Sequence, residues 1–371
     1  MPDVLHGLDE MIRLRQRWTR LMTGNSEAPL RDPAGTEATA DRLTEVTAFG
    51  GNPGALRMLR FLPPDLPRGA PLVVALHGCT QSAAGFDHGC GWSDLAGQIG
   101  FGLLMPEQRR ENNGNLCFNW FEPEDTRRDS GEALSIRQMI GWMLEHDGLD
   151  PRRVFIAGLS AGGAMTSVML ATYPEVFSGG AILAGLPYGA ASTVPQAFEA
   201  MFQAPQRSAG ERGDAVRAAS RHQGPWPRVS VWQGEADATV RPGNAEEVLK
   251  QWLDLHGLEI GHPTLQEARP GETYRAWGRG EDRPLVEIHS IPAMEHGVPL
   301  HAGTGERRAG SAGPFLLDVG LSSPHAILDF WGLGEPPQRR FAVDRNGEAW
   351  EVHGFSPASL LDKALRIVGL R

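Results

Sequence analysis

Short apolar runs alternate with amphipathic stretches through most of this chain. Pro71–Leu76 (Pro-Leu-Val-Val-Ala-Leu) is continuously apolar, the pattern of a strand buried on both faces of a sheet. Arg153–Ala157, Gly180–Ala184, Arg228–Trp232 and Leu285–Ile291 read the same way, the last as the final strand of the sheet, and Phe101–Met105 adds another. Two earlier strands fall at Glu45–Phe49 and Leu56–Leu62, the second alternating with period two. Helices are read at Trp92–Ile99, Ser130–His146, Gly163–Thr172, Ala245–Leu255 and Pro324–Trp331. Strands and helices taken in turn predict an α/β fold, a mostly parallel central sheet with helices on both faces.

The same pattern divides the chain. Residues 1–44 read as an N-terminal helix, with Leu8, Met11, Ile12, Leu14 and Trp18 at helical spacing, followed by a polar linker bearing Pro and Gly. Residues 45–335 form the main body, within which 188–225 lose periodicity and read as an insertion, a candidate lid. Residues 336–371 form a C-terminal extension: a β-hairpin over Arg340–Val352 turning at Asn346-Gly347, then a helix capped by Ser356 with Pro357 at its first position. The terminal helices are candidate surfaces for oligomerisation.

Composition narrows the function. With 371 residues and 41% hydrophobic content, the chain can bury a sizeable core without metal or cross-links. A net charge of −10 leaves no basic footprint, which excludes nucleic acid as a partner. No apolar run approaches the roughly 20 residues of a membrane span. The N-terminus lacks the basic start, apolar middle and cleavage site of a secretory signal, so a cytoplasmic location is expected, with secretion as the alternative had a leader been removed. Cys79, Cys90 and Cys117 show no C-x-x-C spacing, so no metal site is read and three buried or half-buried thiols are expected.

Chemistry concentrates at Gly158-Leu-Ser160-Ala-Gly162. A serine at a tight strand-to-helix turn, with small residues two places either side, is the nucleophile elbow of α/β hydrolases. Serine attacks carbonyl carbon only with a base in reach, and in this fold acid and histidine follow the nucleophile in that order. Asp237, in the Gly-bearing loop after Arg228–Trp232, fits the acid, with Glu235 as its competitor. His296, after the strand ending at Ile291, fits the base, with His301 as rival and His289 inside the strand. The loop His77-Gly-Cys-Thr-Gln81 leaves the strand at Leu76 and fits the second half of an oxyanion hole. Backbone N–H groups of Ala161 and Cys79, with Thr80 as the alternative, are the expected donors, and His77 braces the loop.

These blocks, with Pro106-Glu-Gln108, Cys117-Phe-Asn-Trp-Phe121, Ala184-Gly-Leu-Pro-Tyr-Gly189, Gly234-Glu-Ala-Asp-Ala-Thr-Val240 and His296-Gly-Val-Pro-Leu300, closely resemble the polyhydroxybutyrate (PHB) depolymerase family of esterases over roughly residues 45–335. The resemblance implies an α/β-hydrolase fold and hydrolysis of short-chain hydroxyacyl polyesters, their oligomers or related esters. It places nucleophile, acid and base on Ser160, Asp237 and His296. It implies a Cys79–Cys117 disulfide beside the oxyanion loop, with Cys90 left as a free thiol; a cytoplasmic location would instead keep the thiols reduced. It also puts Trp120, with Asn119 beside it, at the acyl or alcohol pocket, against the plainer reading of a core tryptophan. Family members often carry glycine where this chain has Glu295, a carboxylate able to raise the histidine's pKa if it points inward. No separate polymer-binding domain is evident, which favours soluble oligomers or small esters over solid polymer.

The expected mechanism is acyl transfer through an acyl-enzyme, requiring neither metal nor organic cofactor. The rivals are a carboxylesterase of other specificity, such as one for feruloyl-type aromatic esters, and a non-catalytic hydrolase-like binding protein.

Overall fold

The computed structural model describes residues 42–280, 283–305, 307–334, 340–343 and 349–352. The N-terminal helix and linker over residues 1–41, and the last helix with its Ser356 cap, lie outside the described residues.

Strands β1 (Thr44–Val46), β2 (Arg57–Phe61) and β3 (Leu72–Leu76) lead to helices α1 (Ala83–Cys90) and α2 (Trp92–Ile99), then β4 (Gly102–Glu107). A single turn α3 (Pro123–Thr126) precedes the long α4 (Gly131–His146), β5 (Val154–Leu159), α5 (Ala161–Thr172) and β6 (Gly179–Leu183). Helices α6 (Val194–Gln203) and α7 (Ala209–Ala219) follow, then β7 (Arg228–Gly234), α8 (Gly243–His256), β8 (Leu265–Arg269), β9 (Glu272–Trp277) and β10 (Val286–Ile291). Two short strands, β11 (Val298–Leu300) and β12 (Leu316–Asp318), pair in parallel before α9 (Ser323–Trp331). Strands β13 (Arg340–Val343) and β14 (Ala349–Val352) pair antiparallel with each other; the Asn346-Gly347 turn lies outside the described residues.

The large sheet runs β1-β2-β4-β3-β5-β6-β7-β10-β9-β8. From β4 through β10 its pairings are parallel, and both edges are antiparallel. Parallel neighbours need crossovers, and those crossovers supply the helices that cover both faces. The period-two alternation sends Leu72, Val74, Leu76, Val154, Ile156, Val229 and Val231 into a core shared with Ile136, Met165 and Trp252. Val73, Ala75, Phe155, Ala157 and Leu159 face the opposite core, formed with Phe86, Trp92, Leu95 and Trp331. This is the three-layer α/β-hydrolase architecture.

The strands and helices read from periodicity sit where expected, within a few residues at their ends. Three differences have physical causes. The strand at Leu285–Ile291 is the last of the large sheet in chain order, as read, but the β8–β9 hairpin before it went unread: it adds an antiparallel edge beside β10, and its outer strand β8 exposes four of its five residues and so carries no apolar signature. Helix α1 has Gly85 and Gly89 in its body and little intrinsic preference to form; Ser82 Oγ caps its start by accepting from Gly85 N–H, and Gly91 at φ 73° ends it. The 188–225 segment holds two helices, α6 packing Ala197 and Ala200 beside Trp120 and Ala161, and α7 lying along α8. Among the described residues no helix is long and apolar enough to cross a membrane.

Candidate active site

The C-terminal ends of β3, β5, β7 and β10 deliver four loops to one edge of the sheet, and the elbow sits at the centre. Ser160 takes φ 57° and ψ −116°, a conformation costly for a residue with a Cβ and found where the surrounding structure enforces it. The enforcement is visible in its neighbours. A Cβ on Gly158 would lie 2.2 Å from Gly162 O, and one on Gly162 would lie 2.4 Å from Leu76 O. Only glycine lets strand β5, helix α5 and the end of β3 approach so closely. Ser160 N–H is held by Leu183 O at 2.9 Å, tying the turn to β6.

The acid and base loops are laced together. Glu235 N–H donates to Ile291 O at 3.0 Å and Ala236 N–H to Met294 O at 2.9 Å. A Cβ on Gly234 would stand 2.3 Å from Met294 O, so glycine is required where they cross. Asp237 is 1% exposed. Its Oδ1 accepts Thr239 N–H and Val240 N–H, each at 2.8 Å, and its Oδ2 accepts Gln233 Nε2–H at 3.1 Å. That oxygen also faces His296 Nδ1 at 2.7 Å, while His296 Nε2 stands 2.9 Å from Ser160 Oγ. A carboxylate can only accept, so Nδ1 carries the proton and Nε2 is left to accept from the serine hydroxyl.

The competing residues are placed elsewhere. Glu235 and Glu295 both face solvent. His301 bonds Thr304 O at 3.2 Å. His289 is buried between Glu272 (2.6 Å) and Glu287 (3.2 Å) and stacks on Trp232. Burial disfavours its charged form, but the two glutamates outweigh that and raise its pKa.

In the loop after β3, His77 is fully buried, and burial pushes its pKa below the ordinary value. Its Nδ1–H donates to Gly78 O at 2.7 Å and its Nε2 accepts Gln108 N–H at 3.1 Å, a bracing role. Thr80 N–H is bound to Asn115 O at 2.7 Å, whereas among the described residues neither Cys79 N–H nor Ala161 N–H has an acceptor. Cys79 lines a shallow recess with Ser160, His296, Gln81 and Phe315, and Ala161 directly follows Ser160 in the chain. Phe315, from the loop before β12, meets the His296 ring edge-on; no motif marks it in the sequence.

Cys79 and Cys117 are joined in a disulfide, and Cys90 is a buried free thiol. Trp120 is buried in one apolar cluster with both bridged cysteines, Ala161, Ala197 and Val240. The Asn119 side chain is engaged by the scaffold: its Nδ2 donates to Asp125 Oδ2 and its Oδ1 accepts from Asn113 Nδ2, both at 3.0 Å.

Fold and site together define a carboxylic ester hydrolase of the α/β-hydrolase superfamily. The model of the esterase PHB depolymerase family matches residues 56–275. Poly(3-hydroxyalkanoate) depolymerase C of Paucimonas lemoignei is 43% identical over 292 residues, 78% of this chain and 70% of that protein. Feruloyl esterase B of Thermothelomyces thermophilus is 35% identical over 248 residues, 65% of this chain and 84% of the relative. Among solved structures, the acetyl xylan esterase from Aspergillus awamori superimposes with a TM-score of 0.68 at 24% identity, covering 79% of this chain and 99% of that one, a likeness of fold. The chain belongs to the PHB depolymerase family of esterases.

Proposed function

We propose that this esterase hydrolyses short-chain hydroxyacyl esters, polyhydroxybutyrate or its oligomers, by two-step acyl transfer with Ser160 as nucleophile, His296 as base and Asp237 as the orienting acid. The observation that carries the reading is the unbroken bonding from Ser160 Oγ through His296 to Asp237, beside two main-chain N–H groups that have no acceptor among the described residues. His296 Nε2 takes the hydroxyl proton as Ser160 Oγ bonds to the ester carbonyl carbon. The carbonyl oxygen, now negative, is received by Cys79 N–H and Ala161 N–H. Collapse breaks the bond to the alcohol, which leaves with the proton from His296. Water then attacks the acyl-enzyme by the same route, releasing the acid and restoring the serine.

The sequence likeness to a polyhydroxyalkanoate depolymerase supports a hydroxyacyl substrate. We assign Trp120 to a pocket wall and Asn119, whose side chain is already bonded, to holding Trp120 in place. Of the 188–225 insertion, α6 is the part assigned to bordering the site. The Cys79–Cys117 bond favours an oxidising compartment over the cytoplasmic expectation. A second reading, aromatic feruloyl-type esters, is favoured by the feruloyl esterase relative. Product analysis on hydroxybutyrate dimer, trimer and solid polymer, beside methyl ferulate, separates the two. The first reading expects hydroxybutyrate esters to be cleaved with kcat/KM at least about tenfold above the ferulate, about 1.4 kcal/mol of transition-state discrimination. The reverse ranking supports the second, and hydrolysis unchanged in Ser160→Ala removes both.

A further inference from the structure

We infer that Glu132 is a positioning residue for ester hydrolysis: its buried carboxyl joins the oxyanion loop to the segment carrying Cys117 and Trp120, and holds both against Ser160. The inference rests on the reading of Ser160 as nucleophile.

Glu132 is the second residue of α4 and is 1% exposed. An acid in a first helical turn ordinarily serves the helix's own N–H groups. Here Asp125 does that, its Oδ1 accepting Glu132 N–H at 3.1 Å, and both oxygens of Glu132 turn to other segments. Oε2 accepts Asn119 N–H at 2.9 Å, next to Trp120. Oε1 accepts Gln108 Nε2–H at 2.5 Å. The Gln108 amide has no freedom to flip. Its Nε2 also donates to Cys117 O at 3.0 Å, and its Oε1 accepts Arg109 N–H and Asn112 Nδ2–H, each at 2.9 Å. The main-chain N–H of the same glutamine donates to His77 Nε2, and His77 in turn grips Gly78 O, one residue before the Cys79 donor. One carboxyl thereby links residues 77–79, 107–109 and 117–120, while standing outside the recess at Ser160. Burial, with Asp125 beside it, pushes its pKa up to about 8, so its placement opposes the ordinary preference of a carboxylate for water.

A group that acts through the oxyanion loop changes transition-state binding more than ground-state binding. The test is Glu132→Gln, whose amide would set N–H against Gln108 N–H or Asn119 N–H, and separately Gln108→Ala. Each is measured on p-nitrophenyl butyrate with active sites titrated by a fluorophosphonate, so that kcat refers to folded, reactive enzyme alone. Both variants are expected to lose about tenfold in kcat per titrated site, with KM within about threefold of wild type, and the double variant to lose little more than either single one. If Glu132→Gln fails to fold, Gln108→Ala alone decides. Any other pattern overturns the inference, including full kcat per titrated site with fewer reactive sites, which is a purely structural role. Failure of the fluorophosphonate to label Ser160 in wild type would instead remove the reading beneath it.

Discussion

At the scale of single residues, the proposed mechanism depends on a proton kept on one nitrogen. Asp237 can hold His296 in that tautomer because Thr239 N–H, Val240 N–H and Gln233 Nε2–H already hold the carboxylate. Asp237→Asn would set an amide N–H against one of those donors or against His296 Nδ1–H, and would favour the wrong tautomer. We expect kcat to fall by about 10³–10⁴-fold with the fold intact by circular dichroism; a loss below about tenfold would mean that Asp237 does not orient the base. That Ser160, Asp237 and His296 meet was legible in the sequence because loop order in this fold constrains where the proposed acid and base can stand. Gln233, Phe315 and Glu132 were not. Gln233 reads as one more strand position, and Phe315 comes from a loop without a motif. Glu132 has the spacing of an ordinary acid in a first helical turn, and only the packing of three remote segments shows that it faces inward.

At the scale of elements, close approach is the governing constraint. The elbow was legible because glycine spacing and a strand-to-helix switch leave a local signature. The β8–β9 hairpin was not, since the exposed outer strand lacks apolar alternation. Gly162→Ala would drive a Cβ to 2.4 Å from Leu76 O, with main chain on every side and nothing flexible to yield. The expected cost is about 3 kcal/mol or more in urea unfolding, with loss of labelling at Ser160. A variant of wild-type stability would show that the elbow is looser than described. The Cys79–Cys117 bond closes a loop with a sequence separation of 38. Loop-closure entropy puts its contribution near 4 kcal/mol, and Cys79→Ala with Cys117→Ala should lose about 2–4 kcal/mol. No change in urea midpoint would contradict a bond that constrains the chain.

At the scale of the whole molecule, buried titratable groups set how stability follows pH. Glu132, raised to about 8, and His289, also raised, keep protons in the native state that the unfolded chain releases. Stability from such groups is lost as pH rises toward their folded pKa values. His77 and His256, lowered by burial, act oppositely, but only below the ordinary histidine range near 6.5. Unfolding free energy in urea should therefore decline between about pH 6.5 and 8, with a shallower decline in Glu132→Gln. A rise across that interval would mean that these groups are not protonated as described. Fold class was legible from strand–helix alternation alone, because a buried parallel sheet must be written in continuous apolar runs. The central claim, that one hydroxyl made nucleophilic by His296 carries the reaction, is tested most directly by mass spectrometry of the protein treated with a fluorophosphonate. One adduct on the peptide bearing Ser160, absent in Ser160→Ala and strongly slowed in His296→Ala, is the result expected. Labelling at another residue, or ester hydrolysis that survives Ser160→Ala at the wild-type rate, would contradict it.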